Sequence, residues 1–316
     1  MSGQTVVYTA PGTGASVTFS ASSTNETSLL TGDRGKAVSS RFFANSEIGT
    51  YQIIGTVIGL LDQVEFQIEN TDQPISIRHT YSANNSTALP GTLLCDYTTS
   101  NCTSGADTHA DAAHDFAFDS FAFYYWQYGR NGIDNDGMNI ISTVHYDSGY
   151  NNAYWNGDQM VYGDGAGFPL ADDVVGHELT HGVTDYTSNL FYYYQSGAIN
   201  ESFSDVWGEF VDLTNGAGND DPGVRWLMGE DITGLGAIRD MSNPPAFGDP
   251  DKMTSPYYHL GDLEDLFTVP YDNGGVHTNS GVNNKAVYLM VDGGSFNGYS
   301  ISALDSVSET SIIKVA

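Results

Sequence analysis

The sequence predicts an α+β chain of two lobes, β-rich in its first part and mainly helical in its second. Two patterns lead there. Up to about residue 90 the chain favours β-branched residues, Ser, Gly and Asn, and alternates in stretches such as Val64-Glu65-Phe66-Gln67-Ile68-Glu69, the period of half-buried strands. Further on, apolar residues recur on a helical period over Asp111–Tyr128, and again in segments on either side of residue 190. With 316 residues, 40% of them hydrophobic, the chain is long enough for two packed lobes.

Charge narrows the function classes. Ten basic residues stand against 39 acidic ones, a formal charge of −29 that repels nucleic acid and anionic membrane surfaces, so neither is expected as a partner. No apolar run reaches membrane-spanning length. Met1-Ser2-Gly3-Gln4-Thr5 lacks a basic segment followed by an apolar core, so no secretory signal is visible. Cys95 and Cys102 lie seven apart in a Thr/Ser/Asn-rich stretch, where a short-loop disulfide fits an exported protein better than a lone zinc half-site.

Taken in order, Asp111–Tyr128 reads as a largely buried helix whose aromatic residues belong to the core. Asn131–Gly137 interrupts with Asx and Gly chemistry that favours a tight turn; its acids alternate as in a calcium loop, but the downstream Glu of an EF-hand is missing. Ile140–Tyr146 reads as a strand. After Pro169, Asp172 or Asp173 is expected to cap the next helix, where a carboxylate satisfies free N–H groups and the positive end of the dipole.

That helix carries His177-Glu178-Leu179-Thr180-His181. Histidines four apart project from one face and can grip a single metal ion. In this arrangement two imidazoles bind zinc and the intervening Glu178 faces a water as general base. A second helix, near Ile199 and running towards Leu213, brings Glu201 as a third ligand. Two His and one Glu leave a coordination position open, which is the catalytic pattern. Asp205, one turn further, is placed to accept a hydrogen bond from the other nitrogen of His177 and so fix its tautomer. Asp173, Glu209, Asp212, Asp220, Asp221 and Glu230 would repel one another unless a cation sat among them, and calcium takes six to eight such oxygens.

Gly176–Val183 followed by Ser196-Gly197-Ala198-Ile199-Asn200-Glu201 resembles the thermolysin family of secreted zinc endopeptidases. The resemblance implies a cleft between a β-rich lobe over 51–171 and a helical lobe over 172–316, with residues 1–50 left as an extension or propeptide remnant. Tyr150–Gly157 and Met160–Gly165 resemble the family's edge strand above the cleft, where a peptide adds through main-chain hydrogen bonds. By that likeness the Asn152 side chain and the Ala153 carbonyl hold the substrate backbone. Arg239, in Gly236–Pro244, matches the arginine that grips a substrate carbonyl. Val174, Met228, Ile232 and Ile238 match the pocket for the residue just after the cleaved bond, which favours large apolar side chains.

Asp272–Lys285 resembles the segment whose histidine, here His277, faces the oxyanion, with Asp272 orienting it. The family's spacing selects Tyr192 from Phe191-Tyr192-Tyr193-Tyr194 as a second oxyanion donor. Calcium is implied at the acids named above, as one ion rather than a pair because Arg225 and Leu227 stand where further acids are found. The implied protein is a secreted, monomeric neutral metalloendopeptidase with one catalytic zinc, structural calcium and polypeptide substrates. The chain stops at Ala316, 39 residues beyond His277, whereas family members continue further. An incomplete helical lobe, and as rivals a catalytically silent zinc-binding domain of the same fold or a zinc hydrolase of another bond, are therefore also read from the sequence.

Overall fold

The alternating N-terminal residues build antiparallel sheet in the computed structural model, which describes residues 2–32, 36–39, 42–45, 47–60, 63–70, 76–99, 102–219, 221–260 and 271–304. Strands β1 (Thr5–Thr9), β3 (Glu26–Leu30), β5 (Gly49–Val57) and β6 (Gln63–Asn70) lie in the order β3-β1-β5-β6, while β2 (Val17–Phe19) pairs with β4 (Phe42–Ala44). Val17, Phe19, Tyr51 and Ile53 make the local core. The alternation over 64–69 does not mark a buried face. Val64 and Phe66 are 59% and 43% exposed, because β6 is the edge of its sheet and only Ile68 packs on the core.

The chain divides into two compact units, Met1–Pro74 and Ile75–Ala316. β5 crosses residue 50 and is paired on both sides, with β1 and β6, so the first unit runs past the boundary expected there. The division expected at 172 falls inside the second unit.

That unit holds a five-stranded sheet, β10-β11-β9-β7-β8, from β7 (Arg78–Ser86), β8 (Thr92–Asp96), β9 (Ile140–Tyr146), β10 (Ala153–Trp155) and β11 (Met160–Gly163). The central strands β7, β9 and β11 run parallel, and β10 closes one edge antiparallel to β11. Cys95 and Cys102 form a buried disulfide at the end of β8. Helix α1 (Thr108–Tyr128) begins before the expected Asp111, because the Asp107 carboxylate caps it by accepting the Ala110 N–H at 3.1 Å; Phe121, Phe123 and Tyr124 are core. The 131–137 segment is a turn in which the Asp134 carboxylate accepts the N–H groups of Asp136 and Met138.

Among the described residues three further helices follow: α2 (Asp172–Asp185), α3 (Tyr194–Asn215) and α4 (Asp272–Asp292). Neither Asp172 nor Asp173 is the N-cap of α2. Ala171 holds that position with no side-chain bond, since the 3-10 turn Phe168–Leu170 feeds directly into the helix; the two aspartates lie inside the first turn. There they still accept first-turn N–H groups, of Asp173 and Val174, and stay near the positive end of the dipole. α3 starts five residues before Ile199, which puts Tyr194 in its first turn. Among the described residues no helix is long and apolar enough to cross a membrane.

Candidate active site and metal centre

α2 is buried from Asp172 to Thr184 except at His181, which is half-buried. Such burial needs close packing against α3, and Gly208 supplies it: a Cβ there would come within 2.4 Å of the Asp173 carbonyl oxygen. The approach brings Glu201 of α3 against the two histidines of α2. The Nε2 atoms of His177 and His181 lie 3.0 Å apart, and Glu201 faces both, Oε1 3.3 Å from His181 Nε2 and Oε2 3.4 Å from His177 Nε2.

The opposite ring nitrogens explain why the Nε2 atoms present lone pairs. His181 Nδ1 lies 2.8 Å from the acceptor Asn200 Oδ1 and 3.1 Å from Ser204 Oγ. His177 Nδ1 lies 2.9 Å from Asp205 Oδ1, nearer to a charge contact than to an aligned hydrogen bond. With a metal bound, protons on the Nδ1 side would leave both Nε2 atoms as ligands. Glu201 is fully buried and its Oε2 makes no hydrogen bond. Ligands about 2.0–2.1 Å from a tetrahedral zinc stand about 3.3 Å apart, so this donor set fits zinc.

The electrostatics favour a cation. Against the cost of burial, His277 and His181 hold the Glu201 carboxyl well below its usual range. Asp205 and Glu201 push His177, also against burial, up to about 10. Asp205 is held at about 2 by Arg239 and His177 despite its burial. Arg239 grips it with Nε to Oδ2 at 2.9 Å and Nη2 to Oδ1 at 2.5 Å, and Asn284 Nδ2 donates to Oδ2 at 2.8 Å.

On the open side, the Tyr192 hydroxyl donates a short hydrogen bond to Glu201 and lies 3.3 Å from His277 Nε2. His277 Nδ1 lies 2.5 Å from Asp272 Oδ1, and the other Asp272 oxygen accepts the His277 N–H. Asp272 can reach back because residues 272–275 all have left-handed φ, which folds the start of α4 over. Of the three neighbouring tyrosines, only Tyr192 lines the cleft; Tyr193 stacks on Phe191 and Tyr194 begins α3.

The cleft measures about 470 Å³. Glu178, His177, His181, Tyr192 and His277 line it beside Asn152, Ala153 and Trp155 of the β10 edge, with Val174, Met228, Ile238 and Arg239 on the other flank. Ile232 is buried against Gly229 and is not among the side chains that line the cleft. Phe168, which no sequence pattern marks, takes a place in the wall. So does Trp155, whose indole donates to Asp185 at 2.8 Å.

The expected calcium acids come together in part. Asp173, Glu209 and Asp212 are buried with Asp172, which was not foreseen in this role, and Glu230 lies within their field. Burial and mutual repulsion push Glu209 to about 8 and Asp212 to about 11. Asp173 accepts from the Gly229 N–H, Glu209 from Trp226 N–H at 2.8 Å, and Asp212 Oδ1 has no partner. Buried carboxylates in this state fit a divalent cation. Asp221 is exposed, and Asp220 lies outside the described residues.

Residues 36–185 match the catalytic-domain model of the thermolysin metallopeptidases, and residues 188–314 match their α-helical domain. The chain is 46% identical over 237 residues to bacillolysin of Brevibacillus brevis, an alignment covering 71% of this chain and 40% of that protein. It is 45% identical over 234 residues to a thermolysin of Bacillus sp. (strain EA1), with the same coverage. The precursor of protealysin, a metalloproteinase from Serratia proteamaculans, superposes with a TM-score of 0.58 at 37% identity over 68% of each chain. The chain spans about 40% of the length of the curated relatives it matches.

Proposed function

This chain belongs to the thermolysin family of metallopeptidases, and on that premise we propose that it is a zinc-dependent endopeptidase. The observation that carries the reading is the convergence of His177 Nε2, His181 Nε2 and Glu201 at 3.0–3.4 Å, in a cleft that Glu178 also lines. His177, His181 and Glu201 would hold one zinc ion, with Asp205 orienting His177. Zinc at such a site acidifies a water and polarises a carbonyl.

The chain's own groups do the rest. Glu178 accepts the proton of the attacking water and returns it to the leaving nitrogen. His277 Nε2 and the Tyr192 hydroxyl, 3.3 Å apart on one side of the cleft, donate to the oxygen on which negative charge develops. Asp272 aims His277. A polypeptide lies along the β10 edge, held by the Asn152 side chain and the Ala153 carbonyl, while Arg239 meets a substrate carbonyl beside the cleaved bond. Val174, Met228 and Ile238 receive the side chain just after it, which selects large apolar residues. Calcium among Asp172, Asp173, Glu209, Asp212 and Glu230 steadies the helices behind the site. We take the enzyme to be exported and to act as a monomer.

The test is cleavage of an internally quenched peptide with Leu after the scissile bond, with and without 1,10-phenanthroline, followed by zinc readdition. Chelator-sensitive cleavage restored by zinc is expected. A chain carrying one zinc that cuts no peptide would overturn the proposal.

A further inference from the structure

Asp164 stands between the two N–H groups that hold the rim of the cleft. Gly163 donates to the Asn152 carbonyl at 3.0 Å and Gly165 to the Tyr150 carbonyl at 2.8 Å. The approach is so close that a Cβ at 163 would fall 2.1 Å from the Tyr150 oxygen. The Asp164 carboxylate is gripped in turn by His145, whose Nδ1 lies 2.7 and 2.8 Å from its two oxygens. The other nitrogen, Nε2, lies 2.7 Å from Asp107 Oδ2, the cap of α1.

Both ring nitrogens face carboxylate oxygens, an arrangement in which a protonated ring donates on both sides. Although burial opposes the charge, Asp107 and Asp164 raise its pKa. His109 of α1 stacks on the ring at 5.6 Å and lies 3.4 Å from Asp164. Nitrogen–oxygen spacings of 2.7 Å are those of charge-assisted hydrogen bonds. Through these bonds the side chains form a clamp between α1 and the segment after β11.

The clamp reaches the rim by a second route. His145, the last residue but one of β9, has a left-handed φ of 55°, and the next ring, Tyr146, packs edge-on against Tyr150 at 5.4 Å and Tyr154 at 5.7 Å. Backbone and side chains of the rim are thus both anchored at one strand end.

We infer that His145 is a positioning residue for substrate binding: by tying Asp107 to Asp164 it sets the Tyr150–Ala153 edge against which a substrate backbone adds. The inference rests on reading the cleft as that of a peptidase. His145 touches none of the reacting groups, so its loss should act on binding and not on the chemical step.

Hydrogen–deuterium exchange on the zinc-loaded full chain supplies a readout independent of activity. His145→Asn is the first variant, because Asn tolerates the left-handed backbone; Asp164→Asn removes the charge from the other side of the clamp. In both, amides of 150–155 and 163–165 should exchange about tenfold faster, the size expected from losing one charge-assisted hydrogen bond, while those of α2 and α3 keep their protection. KM for the quenched peptide should rise about tenfold with kcat within about twofold. A role in folding alone would lower the melting temperature and move neither quantity. Unchanged exchange at the rim in both variants overturns the inference whether or not the enzyme cuts peptide, and so does faster exchange with an unchanged KM. A wild-type protein that cuts no peptide while the variants loosen the rim would instead strike the peptidase reading and leave only the clamp.

Discussion

Asp205 holds Arg239 through both carboxylate oxygens while also facing His177, and the pair is buried, 0% and 12% exposed at the side chains. One carboxylate therefore serves a metal-binding histidine and neutralises a buried cation. Asp205→Ala should weaken zinc binding by about 10- to 100-fold, as loss of a ligand's orienting partner does. It should also lower unfolding stability by about 3–5 kcal/mol, because the guanidinium is left uncompensated. Competition titration with a zinc-binding dye and a urea melt measure the two effects. Weakened zinc with undiminished stability would show that the Arg239 pairing carries no energy.

Glu178 and Glu201 should separate cleanly. Glu178→Gln leaves the donor set intact, so zinc content should stay near one per chain while turnover falls at least about 10²- to 10⁴-fold with the loss of the general base. Glu201→Gln removes a charged ligand from a fully buried position and should empty the site. Zinc analysis after dialysis, beside peptide cleavage, compares them; equal zinc loss from both would show that the two glutamates have been assigned the wrong roles.

Local periodicity is what the sequence displays best. His177 and His181 are legible because a helix converts a spacing of four into one face, and their shared contact at 3.0 Å is the direct consequence. The partners that orient them are legible only in part. Asp205 follows from Glu201 by one turn, but Arg239 and Asn284 reach it from 34 and 79 residues away, separations for which spacing gives no rule. The same holds for the Asp107–His145–Asp164 clamp, assembled from three elements none of which is patterned for it. Helix starts depart from the sequence pattern where a 3-10 turn or a preceding cap intervenes, at Ala171 and Asp107. Ile232 has the character of a pocket residue, yet its place against Gly229 depends on a turn the sequence does not display.

The buried acids predict an inverted pH dependence without calcium. Unfolded Asp and Glu ionise near about 4, whereas Glu209 and Asp212 are pushed up to about 8 and about 11 in the folded chain. Groups with a raised folded pKa contribute their stability fully below about pH 4 and lose it as pH climbs towards their folded values. In EGTA the melting temperature should fall between about pH 5 and pH 8. Calcium, bound by the ionised carboxylates of the native state, should flatten that fall and raise the midpoint at the alkaline end by mass action. Melts at three pH values with and without calcium decide it, and coincident curves would remove the calcium site from this cluster.

With calcium saturating, the opposite slope should emerge at low pH from His114. This imidazole is fully buried on α1, with Nδ1 2.9 Å from Thr80 Oγ1 and 3.4 Å from Cys95 Sγ. Burial, aided by the Arg78 charge, pushes its pKa down to about 4. The unfolded chain takes up the same proton near about 6.5, so stability from the neutral ring is complete above that value and is lost progressively as pH falls towards 4. The melting temperature should therefore drop between about pH 7 and pH 4.5. His114→Gln, which cannot be protonated, should melt lower at neutral pH through imperfect packing but show a shallower decline. Parallel curves for the two proteins would mean that the acid sensitivity arises elsewhere.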